Sequence, residues 1–128
     1  MSLQDRIKDA VLSLEGPIVI FGAGGFIGAN LFRQIFTYRS DCYAITSKPF
    51  VPWRIDNIED KNIIHANIIK KQDLKNLFNK LKPKTVFDTA AYGAYSKQDD
   101  VDLIYNTNLI GLLNLLEVSS EYSINAFI

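Results

Sequence analysis

The sequence predicts an α/β domain built on a doubly wound parallel sheet, and three observations carry the prediction. Short apolar runs rich in β-branched residues alternate with stripes of helical spacing along the whole chain. Four of the seven glycines fall between Gly22 and Gly28, directly after the first such run. The hydrophobic share, 48% of 128 residues, suffices for one buried core and excludes a disordered chain.

Taken in order, Leu3, Ile7, Val11 and Leu14 make one helical face over 3–14, which Gly16-Pro17 ends. Ile18 to Phe21 (IVIF) reads as a strand buried on both faces. After the glycines, Ile27, Leu31 and Ile35 recur at four and predict a second helix. Cys42 to Thr46 (CYAIT) is a second strand. Residues 47–60, with Pro49 and Pro52, read as a loop holding a short helix around 56–60. Asn62 to Ile68 is a third strand candidate. Leu74, Leu77, Phe78 and Leu81 predict a helix over 70–81, closed by Pro83. Thr85 to Asp88 (TVFD) is a fourth strand. A long helix over 99–120 has Leu109, Leu112, Leu113 and Leu116 as its main stripe, and a fifth strand starts at Ile124. Alternation of this kind needs crossover connections, hence a parallel sheet with helices on both faces. Two segments are expected, an N-terminal helical extension over 1–16 and the α/β domain over 17–128.

Composition removes several function classes. Fourteen Lys and Arg against fourteen Asp and Glu leave no net charge, which argues against nucleic-acid binding. One Cys and one His give neither a disulfide framework nor a Cys/His metal site. No uncharged apolar run reaches the roughly 18 residues of a membrane span. Asp5, Arg6, Lys8 and Asp9 stand where a secretory leader would be apolar, so a cytoplasmic protein is expected.

The glycine cluster has a physical reading. A glycine after a strand permits a tight turn, a second lets backbone approach a pyrophosphate, and a third lets the next helix pack against the sheet. The free N–H groups at the helix start then hold the anion. Gly22, Gly25 and Gly28 satisfy G-x-x-G-x-x-G. No Lys-Ser/Thr follows, which excludes a nucleoside-triphosphate loop.

Several motifs in order resemble the extended short-chain dehydrogenase/reductase family, with its nucleotide-sugar epimerases, dehydratases and reductases. These are IVIFGAGGFIGANL (18–31), VFDTAAYGA (86–94), NLIGLLNLLEVS (108–119) and NAFI (125–128). The resemblance runs from Pro17 to Ile128 and implies a Rossmann-type sheet cut off after the start of its fifth strand, with the N-terminal helix as an addition. It implies a pyrophosphate loop of Gly22, Gly25 and Gly28, with Phe26 and Ile27 offering backbone N–H groups. Asn67 and Ile68 stand where the family has an Asp-aliphatic pair that meets the adenine; an Asn still accepts a hydrogen bond there. Ala90, Ala91 and Tyr92 would line the phosphate and nicotinamide-ribose side, and Asn108 matches a helix Asn near the cofactor. A nucleotide-sugar substrate, and a homodimer through the 99–120 helix, are further implications.

Two features depart from the family. Thr46-Ser47-Lys48 ends the second strand, where an NAD enzyme carries an acid for the ribose 2′-hydroxyl. A hydroxyl and a cation at Ser47 and Lys48 suit a 2′-phosphate, so NADP is favoured over NAD. The catalytic Tyr-x-x-x-Lys pair is also missing: the residues four after Tyr38, Tyr43, Tyr92, Tyr95, Tyr105 and Tyr122 are Cys42, Ser47, Ser96, Asp99, Leu109 and Ala126. No residue is therefore assigned a catalytic role, and the 128 residues are expected to be the cofactor-binding portion of a longer enzyme, inactive alone. The alternative is a dinucleotide-binding sensor that performs no chemistry. Among tempting side chains, His65 and Cys42 read as structural, and Trp53 is expected to cover the core rather than touch the adenine. Tyr92 and Tyr95 fall at the carboxyl edge of the sheet, where ligands bind. A sheet edge and apolar surface are expected to lie open near Ile128.

Overall fold

A computed structural model describes residues 1–128, Asp60 by its backbone alone. Helix α1 (Leu3–Ser13) precedes β1 (Ile18–Phe21), α2 (Phe26–Phe36) and β2 (Cys42–Thr46). Two single 3-10 turns, Trp53–Ile55 and Asp60–Asn62, lead into β3 (Ile63–His65). Then come α3 (Lys71–Leu81), β4 (Thr85–Asp88), α4 (Val101–Tyr105), a π-helical segment (Asn106–Gly111), α5 (Leu112–Ser120) and β5 (Ala126–Phe127). The strands form one parallel sheet in the order β3-β2-β1-β4-β5. The chain winds outward from β1 through β2 to β3, then returns to start the other half at β4. Strand order therefore reverses between β1 and β4, where open sheets of this kind take ligands.

Side-chain alternation along β1 sends Ile18 and Ile20 into one core and Val19 and Phe21 into the other. The first core is filled from α1 and α2 by Val11, Phe32 and Ile35. The second is filled from α3 and α5 by Leu74, Phe78, Leu115 and Val118. Phe21, Phe32 and Phe78 are sealed from solvent, each stabilising by about 1.5–3 kcal/mol.

Helix α1 is docked rather than loosely appended. Arg39 donates to the Val11 and Leu14 carbonyls, and Thr85 Oγ1 donates to the Glu15 carbonyl at 2.6 Å. Asp41 holds the same guanidinium from its other side at 2.7 Å, and that ion pair keeps the Asp41 carboxyl below its ordinary pKa.

Four expectations are corrected. The third strand is three residues long, because Asn62 turns its side chain back onto the Ser40 and Cys42 carbonyls and the chain leaves the sheet at Asn67. The short helix in the 47–60 loop is a 3-10 turn placed earlier, at Trp53–Ile55, anchored by the fully buried Ile55. The long helix starts later, at Val101, and widens into a π turn at its middle. Three of its four stripe leucines point outward: Leu109, Leu113 and Leu116 are each more than two-fifths exposed and Leu112 is half-buried, while Gly111, Asn114, Leu115 and Val118 face inward. The inward face is chosen for close approach, which a count of leucines does not reveal. A Cβ on Gly111 would stand 2.6 Å from Ile68 Cδ1. At the other end of the sheet, β5 is an edge strand and Ile128 is exposed.

Candidate cofactor site

The carboxyl ends of β1, β2, β3 and β4 surround a cavity of about 610 Å³. Its floor is the turn from β1 into α2. Gly22 has φ +74°, the left-handed region that side chains rarely adopt, and a Cβ there would meet the Ala90 nitrogen at 2.7 Å. Gly28 lies in the first turn of α2, where a Cβ would stand 2.3 Å from the Gly22 carbonyl oxygen and 2.6 Å from Thr89 Oγ1. Thr89 in turn donates to the Phe21 carbonyl at 2.6 Å, closing the turn against β4. Gly25 differs: it caps α2 without a side-chain hydrogen bond, and its Cβ position has only the Gly22 oxygen nearby, at 3.3 Å.

The Ala29 N–H donates to the Gly25 carbonyl, so the N–H groups of Phe26, Ile27 and Gly28 lie ahead of the helical ladder. The side chains of Phe26 and Ile27 point to solvent. Whatever those two residues offer a ligand, they offer through backbone. Phe26, Ile27 and Gly28 do not line the cavity, whereas Gly22, Gly24 and Gly25 do.

One wall comes from β2 and β3. Ser47 and Lys48 line it, and Thr46 Oγ1 donates to the Lys48 carbonyl at 3.2 Å, turning the chain away from the sheet. Among the described residues the lining carries no Asp or Glu, so Lys48 is its one formal charge. Asn67 and Ile68 complete this wall. Asn67 Oδ1 accepts the Ile69 N–H at 3.0 Å, and the Asn67 N–H donates to Asp73 Oδ2 at 3.0 Å. The Asn67 side-chain oxygen is thus already engaged once and keeps a second lone pair for a ligand donor.

The opposite wall is Thr89, Ala90, Ala91 and Tyr92, after β4. Ala90 is set by its N–H bond to Asp88 Oδ1 at 3.0 Å; burial raises the pKa of that carboxyl, and the Ala90 bond lowers it less. Asn108 does not line the cavity. Its side-chain amide clasps the Tyr92 peptide on both sides, accepting the N–H at 2.9 Å and donating to the carbonyl at 2.7 Å. One turn on, Gly111 receives Ile68, and Asn114 Nδ2 donates to the Ile68 and Ile69 carbonyls at 3.0 and 3.1 Å. The π segment and the start of α5 therefore brace both walls.

Other sequence readings meet different outcomes. Trp53 does not cover the core; it is 73% exposed and lines the cavity. Tyr92 lines the cavity and Tyr95 does not. His65 sets Nδ1 3.1 Å from the Thr46 carbonyl, and no trio of metal-binding side chains occurs among the described residues. Cys42 is sealed in the core, where burial pushes its thiol up to about 12. Gln98, Leu103 and Thr107 also line the cavity. Gln98 Oε1 accepts N–H bonds from Gly93 and Tyr95, a loop contact with no signature in residue spacing.

A glycine turn at the switch point of a parallel sheet, facing an acid-free cavity, defines a Rossmann-type domain. The family model of the NAD dependent epimerase/dehydratase family matches residues 18–128, and the chain belongs to that family. No curated protein matches the chain. Among solved structures it is similar to an epimerase of the methanogen Methanothermobacter thermautotrophicus, at 23% identity and TM-score 0.80, covering 98% of this chain and 38% of the other. It is similar to L-threonine dehydrogenase of Clostridium difficile, at 21% identity and TM-score 0.74 over 86% of this chain and 34% of that one. It is also similar to UDP-glucose 4-epimerase of Thermus thermophilus, solved with NAD, at 20% identity and TM-score 0.73 over 86% and 35%. The chain thus spans about a third of the length of these proteins. Likeness at this identity shows the fold. Among the described residues, no helix is long and apolar enough to cross a membrane.

Proposed function

We propose that the chain binds a nicotinamide dinucleotide, as the cofactor-holding portion of a nucleotide-sugar epimerase or dehydratase. The observation that carries the reading is the division of labour among the glycines. Gly22 and Gly28 are fixed by contacts under 3 Å inside the protein, whereas Gly25 borders the cavity with only the Gly22 oxygen, at 3.3 Å, near its Cβ position. The bare backbone at Gly25 is thus free for a pyrophosphate, and the N–H groups of Phe26, Ile27 and Gly28 supply its donors. Asn67 and Ile68 take the adenine, with Ala90, Ala91 and Tyr92 toward the nicotinamide ribose and Asn108 positioning Tyr92.

When bound, a nicotinamide cofactor supplies hydride transfer. These residues bind and orient it, and none of them moves a proton. The substrate class follows the family and the UDP-glucose epimerase likeness, although the threonine dehydrogenase shows that this fold serves other substrates too. A cytoplasmic location and a homodimer through the exposed leucines of the α4–α5 helix belong to the same reading.

The acid-free wall with Lys48 favours NADP. Calorimetric titration should give NADPH the higher affinity, and Lys48→Ala should narrow the gap with NADH. Tighter binding of NADH by the parent protein overturns the NADP preference. Failure of both cofactors to bind overturns the dinucleotide reading.

A further inference from the structure

The single tryptophan sits oddly for an apolar side chain. Trp53 leaves 73% of its surface exposed, yet the turn that carries it is held firmly. Ile55, two residues on, is buried completely. Arg33 Nη1 donates to the Arg54 carbonyl at 3.3 Å and to Asn57 Oδ1 at 2.7 Å. The Arg54 guanidinium lies 4.5 Å from the centre of the Trp53 ring, and its Nη1 donates to the Gly24 carbonyl at 3.2 Å. Pro52 is so close to Gly24 that a Cβ there would stand 2.9 Å from its Cγ. An indole held beside the glycine loop, covered on one face by a cation and otherwise left in water, is an unusual use of so large an apolar ring.

We propose that Trp53 is the stacking wall for the adenine base, and that Arg54 couples this wall to the pyrophosphate turn. The proposal deepens the dinucleotide reading and rests on it. The geometry favours the adenine half over the nicotinamide half. Trp53 and Pro52 line the cavity together with Ser47 and Lys48, which follow β2, and Asn67 and Ile68, which follow β3, and Pro52 sits against Gly24. Ile45 and Ile68 add apolar lining there, and Asn67 offers the polar edge. A planar aromatic base meets in this half what its chemistry requires: a π-face, an apolar surface and one amide. Arg54 holds Trp53 on one side and Gly24 on the other, so it acts through its neighbours as a positioning residue.

Because Trp53 is the only tryptophan, its emission reports the site directly. ADP-ribose should quench it saturably, while ribose 5-phosphate, which lacks the base, should leave it unchanged. By calorimetry, Trp53→Leu should weaken ADP-ribose about tenfold, in keeping with base–aromatic stacking energies, and Trp53→Phe should restore most of the loss. Arg54→Ala should shift the tryptophan emission of the free protein and weaken ADP-ribose. Quenching absent at saturating ADP-ribose, or Trp53→Leu binding as tightly as the parent, overturns the stacking wall while the dinucleotide reading stands. A parent protein that binds neither ADP-ribose nor NADPH by calorimetry overturns both.

Discussion

Gly22 and Gly25 are three residues apart and answer to different constraints, which makes them a paired test. At Gly22 a methyl group would be strained by φ +74° and would strike the Ala90 backbone at 2.7 Å. Gly22→Ala should therefore destabilise the fold by about 1–3 kcal/mol, seen as a lower thermal midpoint with no ligand present. At Gly25 φ is ordinary and a Cβ would press only on the Gly22 oxygen, at 3.3 Å, so Gly25→Leu should cost less stability than Gly22→Ala and still abolish NADPH binding. Equal stability losses in the two variants, or NADPH retained by Gly25→Leu, would contradict the assignment. Motif spacing makes all three loop glycines legible in the sequence. What it does not convey is which of them the protein uses for itself. That depends on how close β4 comes to the turn, and β4 lies more than sixty residues away.

Among the elements, the π segment has the clearest consequence. A π turn adds a residue to the helical circuit, and such turns gather at functional places. Here Asn108 reaches the Tyr92 peptide from an otherwise exposed stretch. Asn108→Ala should remove both bonds, costing about 1 kcal/mol because the pair lies near solvent. The Tyr92 amide should then exchange hydrogen faster, and NADPH should bind more weakly. Asn108→Asp keeps the acceptor for the Tyr92 N–H and loses the donor, so its exchange rate should fall between. Unchanged exchange at Tyr92 in the alanine variant would rule out the clasp. Periodicity marks this helix well enough but points to the wrong inner face. Its buried side is built on Gly111 and Asn114, whose worth lies in closeness and hydrogen bonding, and a hydrophobic count scores neither. β1, β2 and β4 are legible to the residue, being short apolar runs between turn signals, β1 and β2 sealed on most positions and β4 on half. β3 is shorter than its apolar run, which continues past the point where Asn67 bends the chain.

For the whole molecule, two neighbouring residues tie stability to pH at its acid and alkaline ends. Asp41 has a folded pKa below its unfolded value near 3.8, so its contribution is present above that value and fades as pH falls through the folded pKa. Cys42 has a folded pKa of about 12 against 9.0 unfolded; its burial is stabilising below 9.0 and is lost progressively between 9.0 and 12. Denaturant midpoints should therefore decline above pH 9, and Cys42→Ala should flatten that decline. The same slope in both proteins would show that Cys42 is not its cause. The larger arrangement also has a consequence for how the site can change. Tyr92 on one shore of the cavity and Ile68 on the other are moored to the same helix, through Asn108, Gly111 and Asn114. The two shores are thus tied to each other through one helical register. Substitutions at Ser47, Lys48 or Trp53 can retune what fits without moving the shores. A single-residue insertion or deletion between Asn108 and Asn114 would turn one mooring about 100° away from the other, so that one helix no longer holds both shores.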